Sequence, residues 1–174
     1  HANLQSGQKI LIHGGAGGIA SFAIQLAKHI GAYVTATAAA EDADYVKSLG
    51  ADAVIDYKTQ DFSTSLKDYD VVYDTVGGDT YTKSFQVLKP GGIIVSMVAQ
   101  PDETLAKQYG VKPILQASHV NVERLTKLAE LVDQAAIKVQ IGKVFPLEEA
   151  NEALEYIKQG KHHGKVVIQV VGTS

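Results

Sequence analysis

One segment near the start of the chain constrains its fold more than any other. The apolar run Lys9–Ile12 is followed at once by a turn over residues 13–18 that contains four glycines. From residue 18 to residue 30, apolar side chains recur at the spacing of an amphipathic helix. A buried strand that enters a helix through such a turn predicts the first βα unit of a parallel sheet covered on both faces.

The chain repeats this alternation of β-branched runs and helical stretches up to residue 118. Further strands are predicted at residues 33–37, 53–55, 71–73, 93–98 and 111–117, and helices at 42–49, 62–67, 79–88 and 102–109. Because a central strand tolerates proline poorly, the last of these strands, which contains Pro113, is placed at the edge of the sheet. These elements predict an α/β fold, namely a doubly wound, parallel, six-stranded sheet.

The pattern changes after His119. The predicted elements there are a helix over residues 122–135, an extended piece over 143–146, a helix over 147–159 and a strand over 165–170. A length of 174 residues suits one domain with a smaller appended segment. We therefore expect a domain over residues 1–118 and a C-terminal helix-strand-helix-strand segment over residues 119–174.

Composition and charge exclude several classes of protein. The chain has 16 Lys and Arg against 19 Asp and Glu, scattered along its length, which argues against a nucleic-acid partner. No run of 18 apolar residues occurs, so we expect no membrane partner. Cysteine is absent, which excludes disulfides, thiol catalysis and cysteine-ligated metals and favours a cytoplasmic location. The polar start lacks the pattern of a signal peptide, and because it begins with His we expect a piece of a longer protein.

The glycine-rich turn carries the pattern Gly15-x-Gly17-x-x-Ala20 between a strand and a helix. In that context the first glycine permits a tight turn, the second lets the backbone approach a pyrophosphate, and a small third residue lets the helix pack closely. The helix N-terminus offers N–H groups and the positive end of its dipole to the phosphates. The pattern predicts a dinucleotide-binding domain; the alternative is a glycine-rich turn that binds nothing.

The end of the second predicted strand bears on which dinucleotide binds. Residues 35–40 contain no carboxylate, and the first acidic residue is Glu41. Without an acid to bond the adenosine ribose of NAD and to repel a 2′-phosphate, NADPH is favoured over NADH. The first basic residue after this strand is Lys47, so the preference is inferred from an absent acid. The same absence counts against an S-adenosylmethionine-dependent methyltransferase.

Several segments, taken together, resemble one known family. They are residues 10–18, 49–52, 54–57, 70–78, 88–92 and 164–167. In this order they resemble the medium-chain dehydrogenase/reductase superfamily, and more narrowly its zinc-free NADPH:quinone oxidoreductase (zeta-crystallin-like) branch. The resemblance implies an NADP-dependent oxidoreductase of the quinone reductase and zinc-type alcohol dehydrogenase family. Such an enzyme transfers hydride between nicotinamide and a quinone, enone or carbonyl/alcohol substrate.

The resemblance also implies where NADP binds. It assigns the pyrophosphate to residues 17–19, the adenosine ribose to residues 37–38, and the adenine and 2′-phosphate to Tyr57. Residues 76–77 would line the cofactor cleft, and residues 96–98 would approach the nicotinamide. The complete set is Gly15, Ala16, Gly17, Gly18, Ile19, Thr37, Ala38, Tyr57, Val76, Gly77, Ser96, Met97 and Val98.

The chain departs from the family pattern in three ways. Ala20 stands where the family usually has a third glycine, and neither Ala43 nor Asp44 supplies the lysine that some relatives place near the 2′-phosphate. Family members also begin with a GroES-like β domain that lines the substrate cleft, and this chain shows none. The chain is therefore expected to bind nucleotide and to turn over little alone, with no catalytic and no metal-binding residue of its own.

Two expectations concern assembly and role. The resemblance implies a homodimer through the edge strand that runs from Lys112 to Ala117, which would cover an otherwise unpaired edge. The alternative to an enzyme is a non-catalytic NAD(P)H-sensing module of the same fold, because one fold hosts many functions.

Other polar residues are expected to be structural. His13, beside the glycine turn, is assigned a hydrogen-bonded structural role, and Asp70 and Asp74 are assigned to turn capping. Residues 162–163, both His, are expected in a solvated turn. Ser96 lacks a His–Asp partner, so nucleophilic catalysis has no support.

Overall fold

A parallel six-stranded sheet forms the centre of the computed structural model, which describes residues 1–160 and 163–170. Its strands are β1 (Lys9–Ile12), β2 (Tyr33–Ala38), β3 (Ala53–Asp56), β4 (Tyr69–Asp74), β5 (Leu88–Ser96) and β6 (Lys112–Leu115). They lie in the order β3-β2-β1-β4-β5-β6, and each neighbouring pair runs parallel. This confirms the predicted doubly wound fold and the edge position of the proline-containing strand. From β1 the chain adds strands in one direction up to β3 and then in the opposite direction from β4 to β6. In doubly wound sheets a ligand-binding crevice opens at this switch point, between β1 and β4.

The helices cover both faces of this sheet and continue beyond it. They are α1 (Ala20–Ile30), α2 (Ala43–Ser48), α3 (Phe62–Ser65), α4 (Gly78–Ser84), α5 (Glu103–Tyr109), α6 (Val122–Asp133) and α7 (Ala150–Lys158). Short 3₁₀ turns occupy Ala40–Asp42, Phe85–Val87 and Leu147–Glu149.

One predicted boundary is wrong, at the start of β5. The predicted helix over residues 79–88 ends at Ser84, and β5 begins at Leu88 instead of residue 93. Leu88 already pairs with Tyr69, and the register of β4 and β5 then shifts. Gly91 has a φ of 81°, a backbone conformation that glycine adopts without steric strain. This irregularity keeps residues 89–92 within the strand, where the sequence predicts a turn.

An apolar cluster covers each face of the sheet. Successive residues of β1 point to opposite faces: Ile10 and Ile12 pack with Ile24 of α1, whereas Leu11 packs with Phe85 on the other side. Packing on both faces fixes the strands and therefore the positions of the loops at their carboxyl ends.

The segment after residue 118 contains α6, β7 (Ile141–Pro146), α7 and β8 (Lys165–Gln169). β7 and β8 pair in parallel as a separate two-stranded sheet. No helix in the described part of the chain is long and apolar enough to cross a membrane. The segment exposes many apolar side chains, including Val122, Leu125, Leu128, Ile141, Val144, Leu147, Leu154 and Ile157.

Candidate cofactor site

The glycine-rich turn between β1 and α1 is held tightly against β2. The Gly15 N–H donates to the Thr37 carbonyl at 2.8 Å, and the Gly17 N–H donates to the Gly14 carbonyl at 2.9 Å. A Cβ on Gly15 would lie 3.0 Å from the Ala36 Cβ, so glycine permits this packing. No side chain caps the amino end of α1, where the N–H groups of Ser21 and Phe22 donate to the carbonyls of Gly17 and Ile19. The positive end of the helix dipole at this turn still favours an anion.

The C-terminal segment reaches back to this turn. The Gly164 N–H donates to the Ala16 carbonyl at 3.4 Å. A Cβ on Gly18 would lie 2.9 Å from the Gly164 carbonyl oxygen and 3.1 Å from Lys165 Nζ. Gly18 thus allows a close approach that brings a cation to the amino end of α1. Sequence reasoning missed Lys165, because residues 164–167 matched the family pattern without being given a role.

A directed chain of hydrogen bonds runs from the glycine turn through His13 to α4. The Gly14 N–H donates to Thr37 Oγ1 at 3.2 Å, and that hydroxyl lies 3.1 Å from His13 Nδ1. His13 Nε2 lies 2.9 Å from Ser84 Oγ, which donates to the Thr80 carbonyl at 2.6 Å. Since the Ser84 hydrogen is used on Thr80, Ser84 accepts from Nε2–H and Thr37 donates to Nδ1. These bonds assign the neutral Nε2–H tautomer.

Burial keeps this imidazole neutral. The His13 side chain is fully buried, and burial lowers its pKa from 6.5 to about 4, with Asp74 opposing the shift more weakly. At neutral pH the ring therefore carries no charge and joins the turn to α4. The predicted hydrogen-bonded structural role of His13 is confirmed.

A cleft of about 680 Å³ opens at the carboxyl ends of the central strands. Gly14, Thr37, Tyr57 and Val76, which follow or end four different strands, line it together. Exposed apolar side chains at the ligand-binding edge of such a sheet indicate a surface that a ligand covers. The exposed fractions are 47% for Ile19, 59% for Tyr57, 55% for Val76 and 57% for Val98.

Asp74 holds the two loops that follow β4 and β5. Its buried carboxylate accepts from the N–H groups of Val76 (3.0 Å) and Gly77 (2.9 Å) and from the Ser96 hydroxyl (2.7 Å). Ser96 Oγ accepts in turn from the N–H groups of residues 98 and 99, at 3.2 and 2.9 Å. The predicted turn-capping role of Asp74 is confirmed. The Ser96 side chain is fully buried in these bonds and supports the loop from within.

Other predicted cofactor residues lie in different surroundings. Ala38 is buried at the end of β2, and Ala16 packs on the core beside α1. Met97 lines a separate, mainly apolar cavity of about 600 Å³ between α1 and α6. A Cβ on Gly77, whose φ is 78°, would lie 2.9 Å from Val98 Cγ2. The β4 and β5 loops therefore meet beside Val76, which lines the cleft, whereas Met97 and Ile19 both line the other cavity.

The end of β2 has a neighbouring cation that sequence reasoning missed. Lys58 follows β3, and its ammonium lies 2.6 Å from a carboxylate oxygen of Glu41. The Tyr57 N–H donates to the Ala38 carbonyl at 3.2 Å, so the pairing of β3 with β2 brings the two charges together. Lys47 is the first basic residue after β2 in the sequence, and the sheet brings Lys58 to this region from another strand.

Two polar predictions are also wrong. His163, expected in a solvated turn, is half-buried, stacks on Tyr45 with centroids 4.1 Å apart, and bonds Asp42 through Nε2 at 2.7 Å. Asp70, expected to cap its own turn, accepts from the N–H of the first residue of β1 at 2.8 Å and so links two strands. The other histidine of that turn, His162, lies outside the described residues.

Comparison with known proteins connects this site to a family. The model of a family described as zinc-binding dehydrogenase matches residues 49–168. The chain belongs to the zinc-binding dehydrogenase family. A 2-methylene-furan-3-one reductase of Solanum lycopersicum is 34% identical over 174 residues, which cover 98% of this chain and 42% of that relative.

Solved structures of zinc-binding dehydrogenase relatives share the fold. The quinone oxidoreductase of Coxiella burnetii matches with a TM-score of 0.90 and 35% identity, over 98% of this chain and 55% of that one. The Escherichia coli quinone oxidoreductase complexed with NADPH matches with a TM-score of 0.86 and 27% identity, over 96% and 59%. The predicted resemblance to quinone oxidoreductases of the medium-chain dehydrogenase/reductase superfamily is confirmed. The chain spans 42% to 59% of the length of these three proteins.

The family name mentions zinc, but this part of a zinc-binding dehydrogenase does not fit the ion. Within residues 1–160 and 163–170, no three His, Asp or Glu side chains come together as a metal site requires. The chain also contains no cysteine.

Proposed function

We propose that this chain binds NADP(H) for an oxidoreductase that transfers hydride between the nicotinamide and a quinone, enone or carbonyl/alcohol substrate. One arrangement carries the proposal: the glycine turn has the Lys165 ammonium next to Gly18, and through Gly14 it borders a cleft lined by the exposed Tyr57 and Val76. A dinucleotide combines the same two chemistries, a charged pyrophosphate and flat rings. The nicotinamide supplies the hydride chemistry when it is bound.

Each part of the cofactor has residues suited to it. The glycine turn, at residues 15–19, binds the pyrophosphate, and Lys165 adds a positive charge that favours the bound phosphates. Residues 37–38 and Tyr57 face the adenosine. The loops at residues 76–77 and 96–98 hold the nicotinamide, with Asp74 and Ser96 fixing their backbones. The glycine turn with Lys165, and the exposed Tyr57 and Val76, thus suit the phosphates and the flat rings of a dinucleotide.

The cofactor is NADPH in preference to NADH. The end of β2 presents no carboxylate between residues 35 and 40 that would bond a free ribose or repel a 2′-phosphate. The relative from Escherichia coli was solved with NADPH, which supports the same choice.

The substrate is bound with the help of a further domain. The C-terminal segment, over residues 119–174, exposes apolar side chains on α6 and β7, including Leu125 and Val144. Such surfaces favour packing against another domain, while residues 1–118, with Lys165 from the C-terminal segment, hold the cofactor. The chain alone therefore binds nucleotide and reduces little or no quinone.

The sheet edge offers a route to a homodimer. Among residues 1–160 and 163–170, β6 has a neighbouring strand on one side only, and its Leu115 is 39% exposed. Pairing of the segment from Lys112 to Ala117 with its copy would cover this edge. Light scattering should give twice the chain mass, and a monomer at high concentration would argue against it. The cytoplasmic location stays a prediction.

Calorimetric titration of the 174-residue chain with NADPH tests the function. We expect saturable binding that weakens about tenfold in Lys165→Gln, because a hydrogen bond to a charged group contributes about 1.5–3 kcal/mol. Lys127→Gln, which breaks an exposed ion pair on α6, is the matched control and should bind normally. Absence of NADPH binding to the unmodified chain, or equal effects of both substitutions, would contradict the proposal.

A further inference from the structure

We propose that the Glu41–Lys58 ion pair sets the preference for NADPH, with Lys58 binding the 2′-phosphate and Glu41 opposing it. This inference rests on the proposed function, because it concerns the adenosine end of the same cleft. It supplies the cation that neither Ala43 nor Asp44 provides.

Lys58 lies where a ribose at the end of β2 would meet it. The last residue of β2, Ala38, pairs with Asp56, the last residue of β3, and Lys58 follows two positions later. Lys58 lines the same cleft as Thr37 and Tyr57, the residues assigned to the adenosine. The residue that binds the 2′-phosphate therefore comes from the β3 end and not from the helix after β2.

The Lys58 ammonium is available to a second anion. In the pair with Glu41, the Lys58 side chain is 50% exposed and the Glu41 side chain is 65% exposed. Exposed pairs of this kind are weak, and the ammonium has three N–H donors, of which Glu41 takes one. A phosphate with a charge of about −1.5 to −2 competes well for the others.

Because negative charges surround Lys58, binding of a 2′-phosphate requires the Lys58 ammonium, whereas binding of a 2′-hydroxyl does not. The hydrogen bond from Lys58 holds the pKa of the Glu41 carboxyl below its usual value, so Glu41 is ionised at neutral pH. Asp56 is close by, and its carboxylate accepts from the backbone N–H of Lys58 at 3.0 Å and from Thr59 Oγ1 at 2.7 Å. Without the ammonium, a 2′-phosphate would meet two carboxylates. The neutral 2′-hydroxyl of NADH would not be repelled by them.

Calorimetry on three variants, at one salt concentration, tests the pair. Lys58→Gln should weaken NADPH about tenfold and change NADH less than about twofold. Glu41→Gln should strengthen NADPH binding and leave NADH unchanged, and the double variant should lose most of the discrimination. The minimal probes 2′,5′-ADP and 5′-ADP should repeat the pattern. Lys127→Gln removes the same charge from an exposed pair on α6 and serves as the control.

Each outcome separates this inference from the proposed function. Parallel losses of NADPH and NADH in Lys58→Gln would show that Lys58 supports the loop, and would overturn the inference alone. Unchanged NADPH affinity in that variant would overturn it as well. A chain that binds none of the four nucleotides would overturn the proposed function and the inference together.

Discussion

Mild acid should destabilise this fold through His13. The folded state holds its imidazole at a pKa of about 4, whereas the unfolded chain returns it to 6.5. As the pH falls below about 6.5, the unfolded state takes up a proton that the folded state refuses, so the free energy of unfolding decreases. The loss grows to about 2 kcal/mol at pH 5 and about 3 kcal/mol at pH 4. Hydrogen-bonded carboxylates such as Asp61, with a pKa of about 2, lose their contribution to the free energy of unfolding only below about pH 4.

Urea unfolding followed by circular dichroism at pH 7, 6 and 5 measures this loss. His13→Gln removes the proton uptake and should flatten the dependence over this range, at a lower stability throughout. His29→Gln, at an exposed position in the last turn of α1, should keep the dependence of the unmodified chain. A free energy of unfolding that is constant from pH 7 to 5, or an unchanged slope in His13→Gln, would refute the assignment of a buried neutral imidazole.

Three more substitutions follow from the local geometry, and urea unfolding measures each of them. Asp74→Ala leaves three donors without their acceptor and should cost about 3 kcal/mol or more; a loss below about 1 kcal/mol would show that water replaces the carboxylate. Gly77→Ala places a Cβ 2.9 Å from the Val98 side chain and should destabilise more than Gly91→Ala, where a Cβ meets nothing within 4 Å. Both glycines have a positive φ, so equal losses would show that backbone strain, and not the contact with Val98, causes the effect. Asn121→Ala removes the side-chain cap of α6 and should cost about 1 kcal/mol, and no change would mean a frayed first turn.

The central part of the fold was predictable because its signals are local. The order of apolar run, glycine turn and amphipathic helix at residues 9–30 specifies a βα unit by itself. Pro113 likewise marked β6 as an edge strand without reference to any distant residue. The start of β5 was mispredicted because residues 89–92 read as a turn, whereas pairing with β4 absorbs them into the strand.

The charges of the site were not predictable in the same way. Lys58 meets Glu41 through the register of β3 on β2, and Lys165 reaches Gly18 from the far end of the chain. Neither contact leaves a pattern in the neighbouring residues. The family resemblance implied that Ser96 lies near the nicotinamide, but its side-chain direction depends on the buried Asp74 of the adjacent strand.

An amide chemical-shift titration with NADPH tests the central claim most directly, since a chain of 18.5 kDa suits two-dimensional NMR. Binding at the proposed cleft predicts that the largest shifts occur at residues 14–19, 57–58, 76–77 and 98–99. Shifts concentrated at Leu4, Arg124 and Leu128, which line the apolar cavity and are not assigned to the cofactor, would contradict the account, as would no shifts at saturating NADPH.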